Sequence, residues 1–457
     1  MKLRNSKIKP DEQREGASVL IIVLWIAIGL VSIALYFANS MTYELRASDN
    51  RASGLVADEA IEGAARYVSY VLANFATNGA VPATNLFACA AVPIGDARFW
   101  LIGRDPSGKP STEPYFSLVD EGSKLNLNTA NTNTISYLPN MTGDFAGAIA
   151  DWRSTNSSGA YALDYAQLGY LEKDAPFETV DELRLVYGAT MDLLAGDDLN
   201  RNGVLDANEK SLSGNGQVNP GLLEYVTVYT REPNFHSDGT MLTNVNTAST
   251  EDLQTLFQNA GVANASSLAT TIGNYTHRQT GRAGSFSCIL NFCLYCRSQG
   301  MSSDDFAKIY DNITTSTNAY IRGRVNINTA GADVLTALLM GTGLDQNTAS
   351  GAAQTLITYR QQNPNNLGSV AWLIDALGNS SNAIGALDEG DYVTTRSFQF
   401  TADIAAVGPF GRGYRRVKFI FDTSDGTPKI IYRQDLSRLG WALGEKVRET
   451  WIAKATQ

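Results

Sequence analysis

The stretch Arg14-Glu-Gly-Ala-Ser-Val-Leu-Ile-Ile-Val-Leu-Trp-Ile-Ala-Ile-Gly-Leu-Val-Ser-Ile-Ala-Leu-Tyr-Phe-Ala38 decides the fold of this chain. Its apolar run, residues 19–38, covers a ~30 Å hydrocarbon core when helical. Because a removable secretory signal has an apolar core of only about 7–15 residues, we expect this run to stay on the protein. Basic residues outnumber acidic ones before it, which predicts a cytoplasmic N-terminus and a periplasmic remainder.

The helical pattern continues beyond the apolar run. From residue 45 to 75, small and apolar residues recur at helical spacing among charged ones, and no proline occurs between residues 17 and 81. A single helix over 17–76 would be about 90 Å long. We expect its second half, around Leu55, Ile61 and Val68, to pack against partner helices. An ordinary signal anchor, or a secretory signal cut after residues 38–40, is the alternative.

The composition is typical of an exported protein. The chain has 457 residues, a net charge of −10, 44% hydrophobic residues and 18% charged residues. The length predicts two or three domains beyond the helical stalk. Loss of residues 1–16 would remove five basic and three acidic groups and leave a net charge of −12. This charge disfavours a nucleic-acid partner.

Strand patterns occur on both sides of a long helical region. Residues 122–392 carry mostly helical signals, and the turn-forming residues 423–428 separate the last two strand patterns as in a hairpin. The sequence therefore predicts an α+β fold in which a long N-terminal helix packs on an antiparallel sheet interrupted by a large helical insertion. The expected strands are 97–103, 115–120, 397–406, 414–422 and 429–434.

One short phrase occurs three times in the predicted insertion, as Leu-Asn-Leu-Asn-Thr-Ala (125–130), Thr-Asn-Val-Asn-Thr-Ala (243–248) and Val-Asn-Ile-Asn-Thr-Ala (325–330). Asn and Thr side chains accept from free backbone N–H groups where helices begin, so we interpret the phrase as a structural repeat. The third copy, extended to residue 360, also resembles helix-hairpin-helix DNA binders. Residues 341–345 stand in place of the Gly-Ile-Gly hairpin of those DNA binders, and few basic residues surround this segment.

The sharpest chemical motif is Asp198-Leu-Asn-Arg-Asn-Gly-Val-Leu-Asp-Ala-Asn-Glu209. It has the spacing of a calcium loop, because a cation of this size needs six or seven oxygens from a tightly curled backbone. Gly203 stands where the turn requires glycine. Two asparagines among the ligands lower the site's charge, which suits an extracellular calcium supply and a stabilising role. The predicted ligands are Asp198, Asn200, Asn202, the Val204 carbonyl, Asp206 and Glu209.

The four cysteines leave three alternatives. An oxidising compartment favours one disulfide within the cluster Cys288, Cys293 and Cys296, or a longer link to Cys89. Buried thiols are the second alternative. A metal site is the third, since the cluster's spacing resembles part of a plant-type iron–sulfur pattern, but no fourth ligand is evident nearby.

Enzyme chemistry is not indicated. Only His236 and His277 are present, and they lack the spacing of a metalloprotease motif. Residues 103–110 approach a phosphate-loop pattern, but Pro110 replaces the hydroxyl residue that holds magnesium. We expect a non-enzymatic protein without a small-molecule substrate.

Several separated phrases together resemble the minor pseudopilin K family of the type II secretion system, also called general secretion pathway protein K. Gly16 and Ala17 match the junction at which prepilin peptidase cleaves the leader and methylates the new N-terminus. Most pilins have Glu as the fifth mature residue, whereas Ile21 stands there, as is typical of this family. The cysteine cluster and residues near 341 depart from the family. The matching phrases are 16–17, 119–128, 151–153, 176–186, 223–229 and 325–360.

The resemblance implies an organisation and a function. It implies a cleaved leader (1–16), a transmembrane and amphipathic stalk (17–80), a pilin-like sheet in two parts (81–121 and 393–457, the latter with a C-terminal tail) and an inserted calcium-binding helical domain (122–392). It also implies a single-pass inner-membrane protein at the tip of a periplasmic pseudopilus, with minor pseudopilins I and J as partners. A minor pilin at the tip of a type IV pilus for DNA uptake or adhesion is the alternative.

Overall fold

The computed structural model describes residues 13–106, 111–155, 159–211, 214, 218–278 and 283–455. Its helices are α1 Gln13–Phe75, α2 Thr132–Ser136, α3 Gly143–Arg153, α4 Ala162–Leu168, α5 Met191–Ala195, α6 Thr250–Asn259, α7 Ala265–Thr276, α8 Ile289–Ser298, α9 Ser303–Tyr310, α10 Ala332–Gly341, α11 Gln346–Gln362, α12 Ala371–Leu377, α13 Asn382–Leu387 and α14 Glu445–Ala455. Its strands are β1 Val92–Ile94, β2 Ala97–Ile102, β3 Val119–Asp120, β4 Leu125–Asn126, β5 Val226–Thr227, β6 Arg231–Pro233, β7 Thr243–Asn244, β8 Ile313–Thr314, β9 Tyr320–Arg322, β10 Val325–Asn326, β11 Val393–Thr394, β12 Gln399–Val407, β13 Arg415–Asp422 and β14 Lys429–Asp435.

Helix α1 is a single helix of 63 residues, as the absence of proline predicts. Its large apolar side chains from residue 19 to 45 are exposed, whereas several between residues 57 and 72 are buried. Among the described residues, this helix is long and apolar enough to cross a membrane. The hydroxyl of Ser32 donates to the Ile28 carbonyl (2.8 Å), so this polar group is satisfied within the apolar half.

The buried half of α1 packs on one face of an antiparallel sheet with strand order β1-β2-β12-β13-β14, to which β3 adds by pairing with β12. Side chains alternate between the faces of a strand, so Phe400 and Ile404 of β12 contact α1 while Ala405 and Val407 point the other way. Ala442 and Leu443, near the C-terminus, cover this second face. Both faces are covered, which explains why all nine residues of β12 are buried.

The predicted fold class is confirmed: a long helix packs on an antiparallel sheet that a large, mainly helical insertion interrupts. The strands expected over 397–406, 414–422 and 429–434 correspond to β12, β13 and β14. The strand expected over 115–120 is shorter. Only β3 is a regular strand there. Before it, the chain contacts the end of β2 through two isolated hydrogen bonds, from the Gly103 N–H to the Tyr115 carbonyl (2.8 Å) and from the Ser117 N–H to the Leu101 carbonyl (2.9 Å).

One expectation about α1 is wrong. Ile61 and Val68 are 1% and 0% exposed because the protein's own sheet covers them, so they are not free to pack on partner helices. Leu55, which precedes Ile61 on the same helix, is 63% exposed. An apolar stripe indicates that a helix face is covered, and here an intramolecular surface provides most of the cover.

The insertion contains three copies of one small unit, which confirms the structural repeat. In each copy the first two residues of the repeated phrase form a short strand that pairs in parallel with a later two-residue strand: β4 with β5, β7 with β8 and β10 with β11. A helix follows each phrase, namely α2, α6 and α10. The three units share one hydrophobic core.

The second asparagine of each phrase holds its unit together. Asn128 accepts from the N–H of Phe177 (2.8 Å) and donates to the carbonyl of the same residue (2.9 Å), which imitates a strand pairing. Asn246 makes the same two bonds to Phe286 (2.8 and 3.1 Å). Asn328 donates to a carbonyl 39 positions later (3.0 Å). Asparagine is needed here because it offers a donor and an acceptor side by side.

Candidate metal centre

The predicted calcium loop, residues 198–209, follows α5 and curls tightly. The carboxylate of Asp198 accepts from the backbone N–H groups of Asn202 (2.9 Å) and Gly203 (2.7 Å). Gly203 has a φ of +86°, in the left-handed region that glycine adopts without strain, and Arg201 also has a positive φ of +58°. The curl that the spacing predicts is therefore present.

The structure brings the five predicted side-chain ligands together through hydrogen bonds. Asp206 accepts from the side-chain amides of Asn200 and of Asn202, the second at 2.9 Å. Glu209 accepts from the backbone N–H groups of Asn200 (3.1 Å) and Asp206 (3.0 Å). Since Asp198 holds the turn between them, residues from positions 1 to 12 of the motif lie in one small cluster.

The cluster is mostly removed from water. Asp198, Asn200, Asn202 and Glu209 are each less than 8% exposed. Val204, whose carbonyl was predicted as a ligand, is 2% exposed, and its N–H donates to the Asn202 side chain (2.9 Å). Burial raises the pKa of Asp198 to about 6, although the guanidinium of Arg104 acts in the opposite direction.

The donor set suits a hard cation, since three carboxylates and two amide oxygens come from one curled backbone. In the described part of the chain, however, no three His, Cys, Asp or Glu side chains form a group that could hold a metal ion. The carboxylates of Asp198 and Glu209 accept from backbone N–H groups, and that of Asp206 accepts from two side-chain amides. Calcium binding by this loop stays a prediction.

A buried arginine ties the loop to the sheet. Arg416 on β13 is 0% exposed and forms an ion pair of 2.6 Å with Asp403 on β12. Its guanidinium also donates to the backbone carbonyls of Asn200 and Arg201 in the loop, the second at 2.9 Å. The sequence gives no signal for this contact, because the motif and Arg416 are more than 200 positions apart.

The C-terminal segment, residues 436–444, forms the other side of the cluster, and we call it the strap. The side-chain amide of Asn200 donates to the Trp441 carbonyl (3.1 Å), and that of Asn202 donates to the Ala442 carbonyl (3.4 Å). Ala442 and Leu443 are buried on the sheet. The loop therefore lies where the insertion, the sheet and the strap meet.

The phrase 119–128 fastens the beginning of the insertion to the sheet. Asp120 accepts from the Asn326 side chain (3.0 Å), and burial raises its pKa to about 6. Glu121 accepts from Lys124 (2.9 Å) and from Thr401 on β12 (2.6 Å). Burial acts to raise the pKa of Glu121, but the charge of Lys124 and these hydrogen bonds outweigh it and lower the pKa to about 2. Asp120 thus joins the first repeat to the third.

The structure holds all four cysteines as separate, buried thiols. Cys89 packs between α1 and the sheet, whereas Cys288, Cys293 and Cys296 pack in the core of the insertion. This arrangement agrees with the alternative of buried thiols. It contains neither a disulfide within the cluster nor one that links the cluster to Cys89. Burial raises the pKa of Cys89 to about 11.

Two further sequence patterns, the phosphate-loop look-alike and the third copy of the repeat, contribute an ion pair and a helix cap. Arg104, in the phosphate-loop look-alike, forms an ion pair of 2.7 Å with Glu224, while residues 107–110 of that pattern lie outside the described residues. In the hairpin-like third copy, Asp345 caps α11 by accepting from the N–H groups of Asn347 (3.0 Å) and Thr348 (3.1 Å). A carboxylate at this helix N-terminus disfavours phosphate binding there.

Gly16 and Ala17, the expected cleavage junction, lie in the first turns of α1, and residues 1–12 of the expected leader lie outside the described residues. The helix begins before the junction, at Gln13. Cleavage at Gly16 stays a prediction.

Comparisons with known proteins find a similarity to a solved structure. No protein-family model and no curated protein matches the chain. Among solved structures, the crystal structure of the GspK-GspI-GspJ complex from the enterotoxigenic Escherichia coli Type 2 Secretion System contains a similar chain, with 10% identity and a TM-score of 0.39. The alignment covers 86% of this chain and 99% of that chain. The present chain is thus similar over most of its length to a chain of a type 2 secretion complex.

Proposed function

We propose that this protein is a structural, non-enzymatic subunit, a minor pseudopilin at the tip of a type II secretion pseudopilus that starts or caps assembly and supports export of folded proteins. The observation that carries the proposal is the division of α1. Its first half is an exposed apolar rod of bilayer length, and its second half is the core helix of an antiparallel sheet. One helix can thus serve as a membrane anchor before assembly and as a filament core afterwards.

The anchor determines the location that we propose. The apolar half of α1 spans the inner membrane once, and the sheet and the insertion face the periplasm. Prepilin peptidase removes residues 1–16, so the mature chain begins at Ala17 with a methylated amine. Intact-mass measurement of membrane-extracted protein tests this. A mature chain that begins at Met41 would contradict the pilin-like processing.

Calcium has a stabilising part in this proposal. Asp198, Asn200, Asn202, the Val204 carbonyl, Asp206 and Glu209 would hold one ion at the junction of the insertion, the sheet and the strap. The ion would supply positive charge to a buried cluster that contains three carboxylates.

Minor pseudopilins I and J are the proposed partners, and α1 offers a surface for them. Leu55 is 63% exposed and lies between the apolar half and the part that the sheet covers. A helix that emerges from a membrane with an exposed leucine at this level can pack on a neighbouring stalk. We therefore expect Leu55→Glu to disrupt assembly without disturbing the core.

Co-purification from membranes tests this partnership. The full chain is expressed with the I and J pseudopilins of the same gene cluster, and Leu55→Glu is compared with Leu163→Glu, a control at a leucine that is 79% exposed on α4 in the insertion. We expect loss of the partners from the first variant only. Absence of both partners from the wild-type preparation would contradict the proposal and direct attention to a type IV pilus.

A further inference from the structure

The strap contacts the side chains that we propose as calcium ligands, and these contacts have a direction. The amides of Asn200 and Asn202 donate to the carbonyls of Trp441 (3.1 Å) and Ala442 (3.4 Å). The donor and the acceptor of an asparagine amide are attached to the same carbon but point in different directions, so donation to the strap leaves the oxygen directed elsewhere. These oxygens accept from N–H groups of the loop itself, at Asn202 (3.0 Å) and Val204 (2.9 Å).

The strap itself is held by the sheet rather than by the insertion. Leu443 is 0% exposed against side chains of β2 and β12. The Trp441 ring lies 5.1 Å from the Tyr414 ring, and its indole N–H donates to the Gly444 carbonyl (2.8 Å). The Leu436 N–H donates to the carbonyl of Arg416 (2.9 Å). The strap therefore presents its carbonyls to the loop from a fixed platform.

The Asp206 carboxylate accepts hydrogen bonds from the side-chain amides of Asn200 and Asn202, the same two amides that donate to the strap. A cation in the loop would attract the Asp206 carboxylate, and the strap carbonyls would then remain as acceptors for both amides. Groups that orient a ligand in this way commonly change metal affinity by about 10–100-fold when they are lost.

From these contacts we propose that the strap is part of the calcium site: it orients Asn200 and Asn202, so calcium binding and docking of the C-terminal segment on the sheet stabilise each other. The coupling is reciprocal, because an ion that binds more tightly to the docked form must favour docking to the same extent. This inference rests on the calcium site of the proposed function.

Hydrogen exchange on the full chain in detergent micelles is the first test. We expect calcium to slow exchange of the amides in residues 436–444 of the wild type but not of Glu209→Ala, which loses a bidentate ligand. If calcium binds to the wild type and strap exchange does not change, the inference is overturned while the calcium site stands. If calcium does not bind to the wild type, the site itself is overturned.

Calcium titration of strap variants is the second test. Trp441→Ala removes the ring contact with Tyr414, and Leu443→Asp places a charge where the strap is buried against the sheet. Both should lower calcium affinity by about 10–100-fold. Leu253→Ala is the matched control, since it opens a cavity in the second repeat and should leave calcium affinity unchanged. Equal affinities for Trp441→Ala and the wild type, with strap exchange insensitive to calcium, would contradict the coupling.

Discussion

Arg416 and Asp403 form a buried ion pair across β12 and β13, with two hydrogen bonds of 2.8 and 2.6 Å. Arg416 donates two further hydrogen bonds to the carbonyls of Asn200 and Arg201, so one guanidinium serves the sheet and the predicted calcium loop together. A buried pair of this kind does not guarantee a large net stabilisation, but removal of one partner leaves the other charge without compensation.

Arg416→Met should therefore destabilise the protein by about 3–5 kcal/mol in urea unfolding. The double variant Arg416→Met/Asp403→Leu should recover part of the loss, since it no longer buries an isolated carboxylate. Arg412→Met is the control, because its partner Asp49 is half exposed and such pairs contribute about 0–1 kcal/mol. Equal losses from Arg416→Met and Arg412→Met would contradict the buried role of Arg416.

Asp120 should give the protein a pH-dependent stability. Its pKa is about 6 in the folded state because burial raises it, against about 3.9 in an unfolded chain. Between pH 4 and 6 the folded state therefore binds more protons, and the free energy of unfolding falls as pH rises. Glu121 acts in the opposite sense at lower pH, since its pKa is about 2 and its stabilisation is lost as pH falls below about 4.

Asp120→Asn removes the titration of this carboxyl. Urea unfolding at several values between pH 4 and 7 should show a smaller fall in stability with rising pH for this variant than for the wild type. Asp96→Asn, at an exposed position, should keep the wild-type slope. Identical slopes for all three proteins would mean that Asp120 does not titrate in this range.

Calcium should raise the melting temperature if the loop binds it. Binding to the folded form alone stabilises by about 2.7 kcal/mol at a hundredfold excess over the dissociation constant. Glu209→Ala should erase most of this rise, whereas Glu178→Ala, whose side chain is 83% exposed outside the loop, should retain it. If calcium raised the melting temperature of both variants equally, the loop would not be the calcium site.

The cysteines should behave as four buried thiols. A maleimide added to native protein should label none of them within minutes, because thiolates are the reactive form and burial raises the pKa of these thiols. After unfolding without reductant, intact mass should show four labels. Two labels would reveal a disulfide, and Leu163→Cys provides an exposed thiol as a positive control.

The sequence predicts the features that depend on neighbouring residues. The length of α1, the hairpin of β13 and β14, and the curl at Gly203 all follow from local spacing and turn chemistry. The repeated phrases also predict where α2, α6 and α10 begin. Their partner strands β5, β8 and β11 were not predicted, because two-residue strands carry no periodicity and lie about 70–100 positions downstream of the phrases.

Contacts through space account for the remaining differences. An amphipathic stripe shows that Ile61 and Val68 need cover, but it does not show whether a partner or the chain's own sheet provides it. Likewise, the spacing of 198–209 predicts ligands, yet Arg416 and the strap reach the loop only because β13 and the C-terminal segment fold beside it. Candidate ligands could be predicted, whereas the groups that position them could not.

The unbroken course of α1 has a mechanical consequence. At 63 residues it is a rod about 95 Å long with no break between its exposed apolar end and the sheet. If the rod shifts along its axis by the rise of one residue, the sheet must travel about 1.5 Å in the same direction. Rotation of the rod likewise turns the sheet through an equal angle. Force applied to the apolar end of α1 would therefore reach the sheet as displacement.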